Sequence, residues 1–141
     1  MSEYQNLGYL IKLISDTLLK LVNSSICEFG LTFQQFQVIE FIINSEGEVS
    51  QKDIESYMGV AHPTVVGLLK RMEMKNFIVC KFNPNDKRIK NVYLTKKAYR
   101  IMEEVSRMKR EVEGELLLGM DEGQKNLLMS SLNTVLKNIT K

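Results

Sequence analysis

Leu7, Leu10, Ile11, Ile14, Leu18, Leu21 and Val22 follow one another at helical spacing, which predicts one long amphipathic helix over residues 7–27. A helix of about 20 residues spans roughly 30 Å, more than a small domain covers. Its stripe is therefore either core or, in part, a surface for another subunit. Phe29-Gly30 suits a left-handed helix end. Thr32 and Gln35 then have capping-box spacing, Leu31 and Phe36 have staple spacing, and Phe33, Phe36, Ile39, Ile42 and Ile43 give a second helix its apolar face as far as Asn44. Glu46-Gly47-Glu48 marks a turn whose acids repel phosphate. Ser50 with Asp53, and Val49 with Ile54, repeat the box and the staple; the third helix they start should carry Ile54, Tyr57 and Met58 inward and stop at Gly59.

Only Gly59, Val60 and Ala61 separate that helix from the next. Two short helices joined by so tight a turn form a helix-turn-helix pattern, in which the second helix enters a major groove. Pro63 fixes the start of this second helix, and because a proline disfavours helical geometry in the residue before it, His62 is the expected N-cap. Val65, Leu68, Leu69 and Met72 point inward, which leaves Thr64, Val66, Gly67, Lys70 and Arg71 outward or on the flank. A glycine inside a helix costs about 1 kcal/mol relative to alanine; at Gly67 it lets the backbone come close to a base edge. After Asn76, a second left-handed end, residues 77–82 (FIVCKF) and 89–94 read as paired strands around the turn Asn83-Pro84-Asn85-Asp86. The tip projects Lys87 and Arg88, with Lys90 next to them and Asp86 placed to pair with Arg88. An arginine on a protruding ribbon suits a minor groove. Beyond Thr95, Ala98, Ile101, Met102, Val105, Met108, Val112 and Leu116 stripe a fifth helix, and after the Asp121/Gln124 box Leu127, Leu128, Leu132, Val135, Leu136 and Ile139 stripe a sixth.

Charge sharpens this picture. Residues 62–100 hold ten basic side chains against two acids, a local balance of +8 in a chain of net +2, so the remainder carries −6. A cationic helix and hairpin in an otherwise acidic chain is the footprint of a surface for a phosphate backbone. The 141 residues, 44% apolar and 26% charged, fit an ordinary globular domain with helical appendages. The opening MSEYQNLG lacks a secretory signature, and no apolar run approaches a bilayer span, so no membrane partner is expected. Cys27 and Cys80 form no Cys-x-x-Cys pair, which favours the reducing cytoplasm and disfavours structural zinc. Cys27 is expected to be buried or inert and Cys80 to pack in the hairpin. With His62 the single histidine, and no carboxylate, cysteine or glycine constellation at catalytic spacing, no enzyme, metal or cofactor is expected.

The hairpin run is similar to the MarR family of bacterial winged helix-turn-helix regulators. Asp86, Arg88, Val92, Leu94 and Thr95 match that family's wing pattern, and Pro63-Thr64-Val65, Leu68, Arg71 and Met72 resemble its recognition helix. The resemblance implies a mainly α fold with a small β-hairpin wing (α+β), a winged helix-turn-helix with long N- and C-terminal dimerisation helices. It divides the chain into a dimerisation helix (1–31), a DNA-binding domain (32–95) and C-terminal dimerisation helices (96–141). It implies a cytoplasmic homodimer on a pseudo-palindromic double-stranded DNA operator, acting as a repressor, and in many members released by a small aromatic or drug-like effector. His62, Pro63, Thr64, Val66, Gly67, Lys70, Arg71, Lys87, Arg88 and Lys90 are the expected DNA-facing residues, with Asp86 stabilising the wing. Ala61 stands where a capping serine is common, and Val66-Gly67 where threonine and arginine are common, so base readout should be less polar. The rival reading is a winged-helix module that binds another protein through the same hairpin.

Overall fold

The computed structural model describes residues 6–140, so part of the polar N-terminal stretch (residues 1–5) and Lys141 lie outside the described residues. In chain order the elements are α1 (Leu7–Glu28), α2 (Phe33–Asn44), β1 (Val49–Ser50), α3 (Gln51–Met58), α4 (His62–Met74), β2 (Ile78–Phe82), β3 (Lys90–Leu94), α5 (Lys96–Leu116) and α6 (Glu122–Ile139). The fold is mainly α with a small antiparallel sheet of order β1-β3-β2. The chain forms two compact units, Met1–Val105 and Ser106–Lys141.

Local signals set most element ends. Thr32 with Gln35, Ser50 with Asp53 and Asp121 with Gln124 all form complete capping boxes, each satisfying two backbone N–H groups that a helix start would otherwise leave orphaned. Asn76 ends the α4 turn in the left-handed region at φ 63°, and Gly59 does the same after α3 at φ 64°. The first unit closes over Ile26, Leu31, Phe36, Val38, Ile39, Val49, Ile54, Val65, Leu69, Met72, Phe77, Val92 and Val105, all buried. Each such side chain contributes about 1.5–3 kcal/mol relative to exposure.

Several expectations are corrected. On α2 the buried set is Gln35, Phe36, Val38 and Ile39, while Phe33 and Ile43 are exposed, because the helix turns its 35–39 face to the core. Buried Gln35 is explained by its cap, its Oε1 accepting from the Thr32 N–H. Tyr57 is exposed, its ring stacked on Phe41 with centroids 4.4 Å apart. A two-residue strand, β1, was too short to show a periodicity, yet Val49 pairs with Val92 and Ser50 with Asn91. It makes the hairpin part of a three-stranded sheet that leads straight into α3.

In the second unit the α5 end and α6 carry their apolar residues on the outside. Leu116, Leu118, Leu127, Leu132, Leu136 and Ile139 are exposed, and no described residue of α6 is buried. The α1 stripe likewise leaves Leu7, Ile11, Ile14 and Leu21 exposed, with Leu10, Leu18 and Val22 half-buried. No helix among the described residues is long and apolar enough to cross a membrane.

Candidate nucleic-acid interface

α4 is anchored by Val65, Leu68, Leu69 and Met72, each at most 3% exposed, which fixes what its other face presents. Pro63, Thr64, Val66, Lys70 and Arg71 are exposed there, with Gly67 half-buried among them. A Cβ placed on Gly67 would lie 3.4 Å from an Arg71 guanidinium nitrogen, so the missing side chain leaves the space that the Arg71 head group lies against. The helix starts one residue earlier than expected. Ala61 is the N-cap and makes no side-chain cap, while His62 is the first helical residue. The carbonyl of Ala61 accepts from the N–H groups of Thr64 and Val65. A tertiary contact overrides the local preference set by Pro63: His62 Nδ1 meets the Glu55 carboxylate of α3, 2.5 Å away.

The wing tip is built around two side chains. Asn83 Oδ1 accepts from the N–H groups of Asn85 and Asp86, and its own N–H donates to the Ile89 carbonyl. The Asp86 carboxylate accepts the backbone N–H of Arg88 and, at 3.0 Å each, its Nε and Nη2. This bidentate pairing lowers the Asp86 carboxyl below its ordinary value and raises the guanidinium. The Arg88 side chain is 90% exposed, so it juts from the body with its orientation preset. Lys87 is exposed as well, and Lys90, at the start of β3, is half-buried opposite Phe82.

Between α3, the start of α4 and the wing lies a cleft of about 890 Å³, lined by Lys52, Asp53, Glu55, His62, Arg88 and Lys90 among others. The expected site residues therefore gather on one module: His62, Arg88 and Lys90 around this cleft, and Pro63, Thr64, Val66, Gly67, Lys70 and Arg71 along α4. Not every cation belongs to it. Lys75 Nζ donates to the Gly30 carbonyl after α1, and Lys97 Nζ donates to the Lys75 carbonyl after α4 while lying 4.8 Å from the Phe77 ring centre. Those two lysines neutralise helix C-termini.

Sequence reasoning missed the support behind the wing. Buried Asn91 donates from Nδ2 to Glu48, and the Tyr93 hydroxyl donates to the other Glu48 oxygen, both at 3.1 Å. Glu48 thus pins the loop before β1 to β3, a pairing between residues 43 and 45 positions apart that no local pattern encodes. Of the cysteines, Cys27 is exposed near the end of α1, so of the two expected states, buried or inert, it is not the buried one. Cys80 is partly buried, and its thiol is pushed up to about 11 by burial first, then by the Glu73 carboxylate, with Lys90 acting in the opposite direction.

A family model described as MarR family matches residues 29–89. Over 98 residues, 70% of each chain, the sequence is 38% identical to an uncharacterized HTH-type transcriptional regulator, YwoH, of Bacillus subtilis. Among solved structures, MepR, a transcription regulator of the Staphylococcus aureus multidrug efflux pump MepA, superposes with a TM-score of 0.83 at 22% identity, covering 96% of this chain and 99% of that one. The S. aureus MepR-DNA complex gives 0.77 at 23% identity, covering 94% and 99%.

Proposed function

Starting from the fact that this chain belongs to the MarR family, and is a DNA-binding transcriptional regulator and not an enzyme, we propose that it is a homodimeric repressor whose operator affinity a small molecule lowers. Its α4 helices enter successive major grooves, with centres about 34–36 Å apart, on a pseudo-palindromic duplex. His62, Pro63, Thr64, Val66, Gly67, Lys70 and Arg71 meet bases or phosphates there, Lys87 and Lys90 meet the backbone, and Arg88 enters the adjacent minor groove, held by Asp86. The observation that carries this reading is the preset, outward Arg88 on the same module as a cationic, glycine-containing α4 face. The MepR-DNA complex, of like fold, supports it.

Residues 1–31 and 96–141 supply the dimer surface and residues 32–95 the DNA-binding domain. The uncovered apolar residues of α1, α5 and α6 support this division, since a row from Leu116 to Ile139 in water is what a second copy would cover. The effector site we favour is the cavity of about 400 Å³ lined by Ile42, Ile43, Glu48, Val92, Tyr93, Leu94 and Tyr99 among others. That size suits a small aromatic or drug-like molecule. Such a molecule lowers operator affinity only by preferring a dimer whose α4 spacing no longer fits. The setting is a bacterial cytoplasm.

Genomic fragments retained by the purified protein, followed by anisotropy titrations at several salt concentrations, test the reading. Affinity should fall steeply with salt and favour one palindromic motif. Arg88→Ala should weaken binding about 10-fold or more, with the melting temperature unchanged. Binding that is indifferent to sequence would point instead to the protein-interaction module.

A further inference from the structure

We propose that Glu55 sets the tautomer of His62, so that Nε2 becomes a bare hydrogen-bond acceptor at the groove end of α4 and selects a base pair by the exocyclic amine of cytosine or adenine. The inference deepens the DNA-contact reading and rests on it.

A carboxylate can only accept, so a neutral imidazole whose Nδ1 lies against Glu55 Oε1 carries its proton on Nδ1. Nε2, at the far corner of the ring, is left with a lone pair. The side chains differ in freedom: that of Glu55 is 19% exposed and that of His62 66%. The acid is thus the more enclosed partner and the imidazole the more open one. The position is set for reading, because His62 is the first residue of α4 and lines the cleft that Arg88 and Lys90 border from the wing. Ala61 offers no side-chain cap and the first turn of α4 has no acid; Glu55 is the α3 carboxylate in contact with the first residue of that turn. A carboxylate near DNA is normally repelled. Here Lys52 and Lys90 line the same cleft and offset it, with Asp53 the other acid there and Arg88 already paired with Asp86.

In the major groove the amines at N4 of cytosine and N6 of adenine donate, whereas N7 and O6 of guanine and O4 of thymine accept. An Nε2 lone pair bonds to the first group and repels the second. A ring free to exchange tautomers would satisfy both and choose neither. Glu55 touches no base in this scheme; it is a positioning residue, and His62 does the reading.

Two measurements on the full chain decide the matter. The chain has one histidine, so a long-range ¹H–¹⁵N spectrum at pH 8 reports which ring nitrogens carry a proton without ambiguity. The wild type should show the proton on Nδ1, and Glu55→Leu should move the population toward Nε2–H. A wild-type ring protonated on Nε2, alone or together with Nδ1, overturns the proposal. Next, random duplexes are selected with wild type, Glu55→Leu and His62→Ala. Wild type should prefer cytosine or adenine at one position of each half-site, and both variants should lose roughly 5- to 10-fold discrimination there, with the other positions kept. If Glu55→Leu proves unfolded by circular dichroism, Glu55→Gln replaces it, since an amide offers both donor and acceptor and likewise releases the tautomer. A wild-type motif that survives His62→Ala or the Glu55 change at every position sinks this inference alone. Enrichment of no motif by wild type sinks the DNA-reading role and this inference with it.

Discussion

At the scale of single residues, the two cysteines show how little a residue's type says about its chemistry. Cys27 is exposed near the end of α1, while the Cys80 thiol is raised to about 11 because burial and the Glu73 carboxylate both disfavour the thiolate. Iodoacetamide at pH 8 should therefore label Cys27 well before Cys80, read by peptide mass spectrometry; equal rates in folded protein would contradict the burial. The sign for stability follows. Cys80 has no pH effect below its ordinary value of 9.0, and the folded state loses stability as pH climbs from there toward 11. Asp86 is the opposite case. Its lowered value means that the Arg88 pair persists at neutral pH and is lost only as acid takes the carboxyl through that value. The sequence placed Asp86 and Arg88 together because they are two positions apart, whereas the Glu55–His62 contact needs α3 and α4 to be packed before it exists.

At the scale of elements, ends were easier to foresee than faces. Capping boxes and left-handed residues act within four or five positions, and every box expected from the sequence is present. Thr95 is such an end with a second duty: its hydroxyl donates to the Asn76 carbonyl at 2.6 Å and accepts from the Ala98 N–H, joining the α4 turn to the start of α5. Thr95→Ala should cost about 1–2 kcal/mol in a denaturant melt, with Thr95→Ser restoring most of it. Charge along an element is a poorer guide to use. Arg71 lies on the outward face of α4, whereas Lys97 is committed to the Lys75 carbonyl and the Phe77 ring. Arg71→Ala should reduce the salt slope of DNA binding by about 1 with little loss of stability, and Lys97→Ala should do the reverse.

At the scale of the whole molecule, the exposed apolar row of α6 governs behaviour. A glutamate in place of Leu136, which is 54% exposed, is harmless to a monomer but puts a charge into a dimer seam. Leu136→Glu should shift sedimentation toward the monomer and weaken operator binding about 100-fold or more, since one module gains only half of the contacts. A variant that still sediments as a dimer and binds normally would place the dimer surface elsewhere.

The sequence by itself determined the helices, the three capping boxes, the wing strands and the cationic face, because hydrophobic period, turn chemistry and charge act over a few residues and are written locally. It also placed the wing arginine and its aspartate. Only the tertiary structure decided which stripes are covered, where α4 begins, that β1 joins the wing, and that Glu48 and Glu55 hold Asn91, Tyr93 and His62. The reason is physical: these outcomes depend on groups that folding brings together across dozens of residues or across a helix-turn-helix corner, and no local period records them.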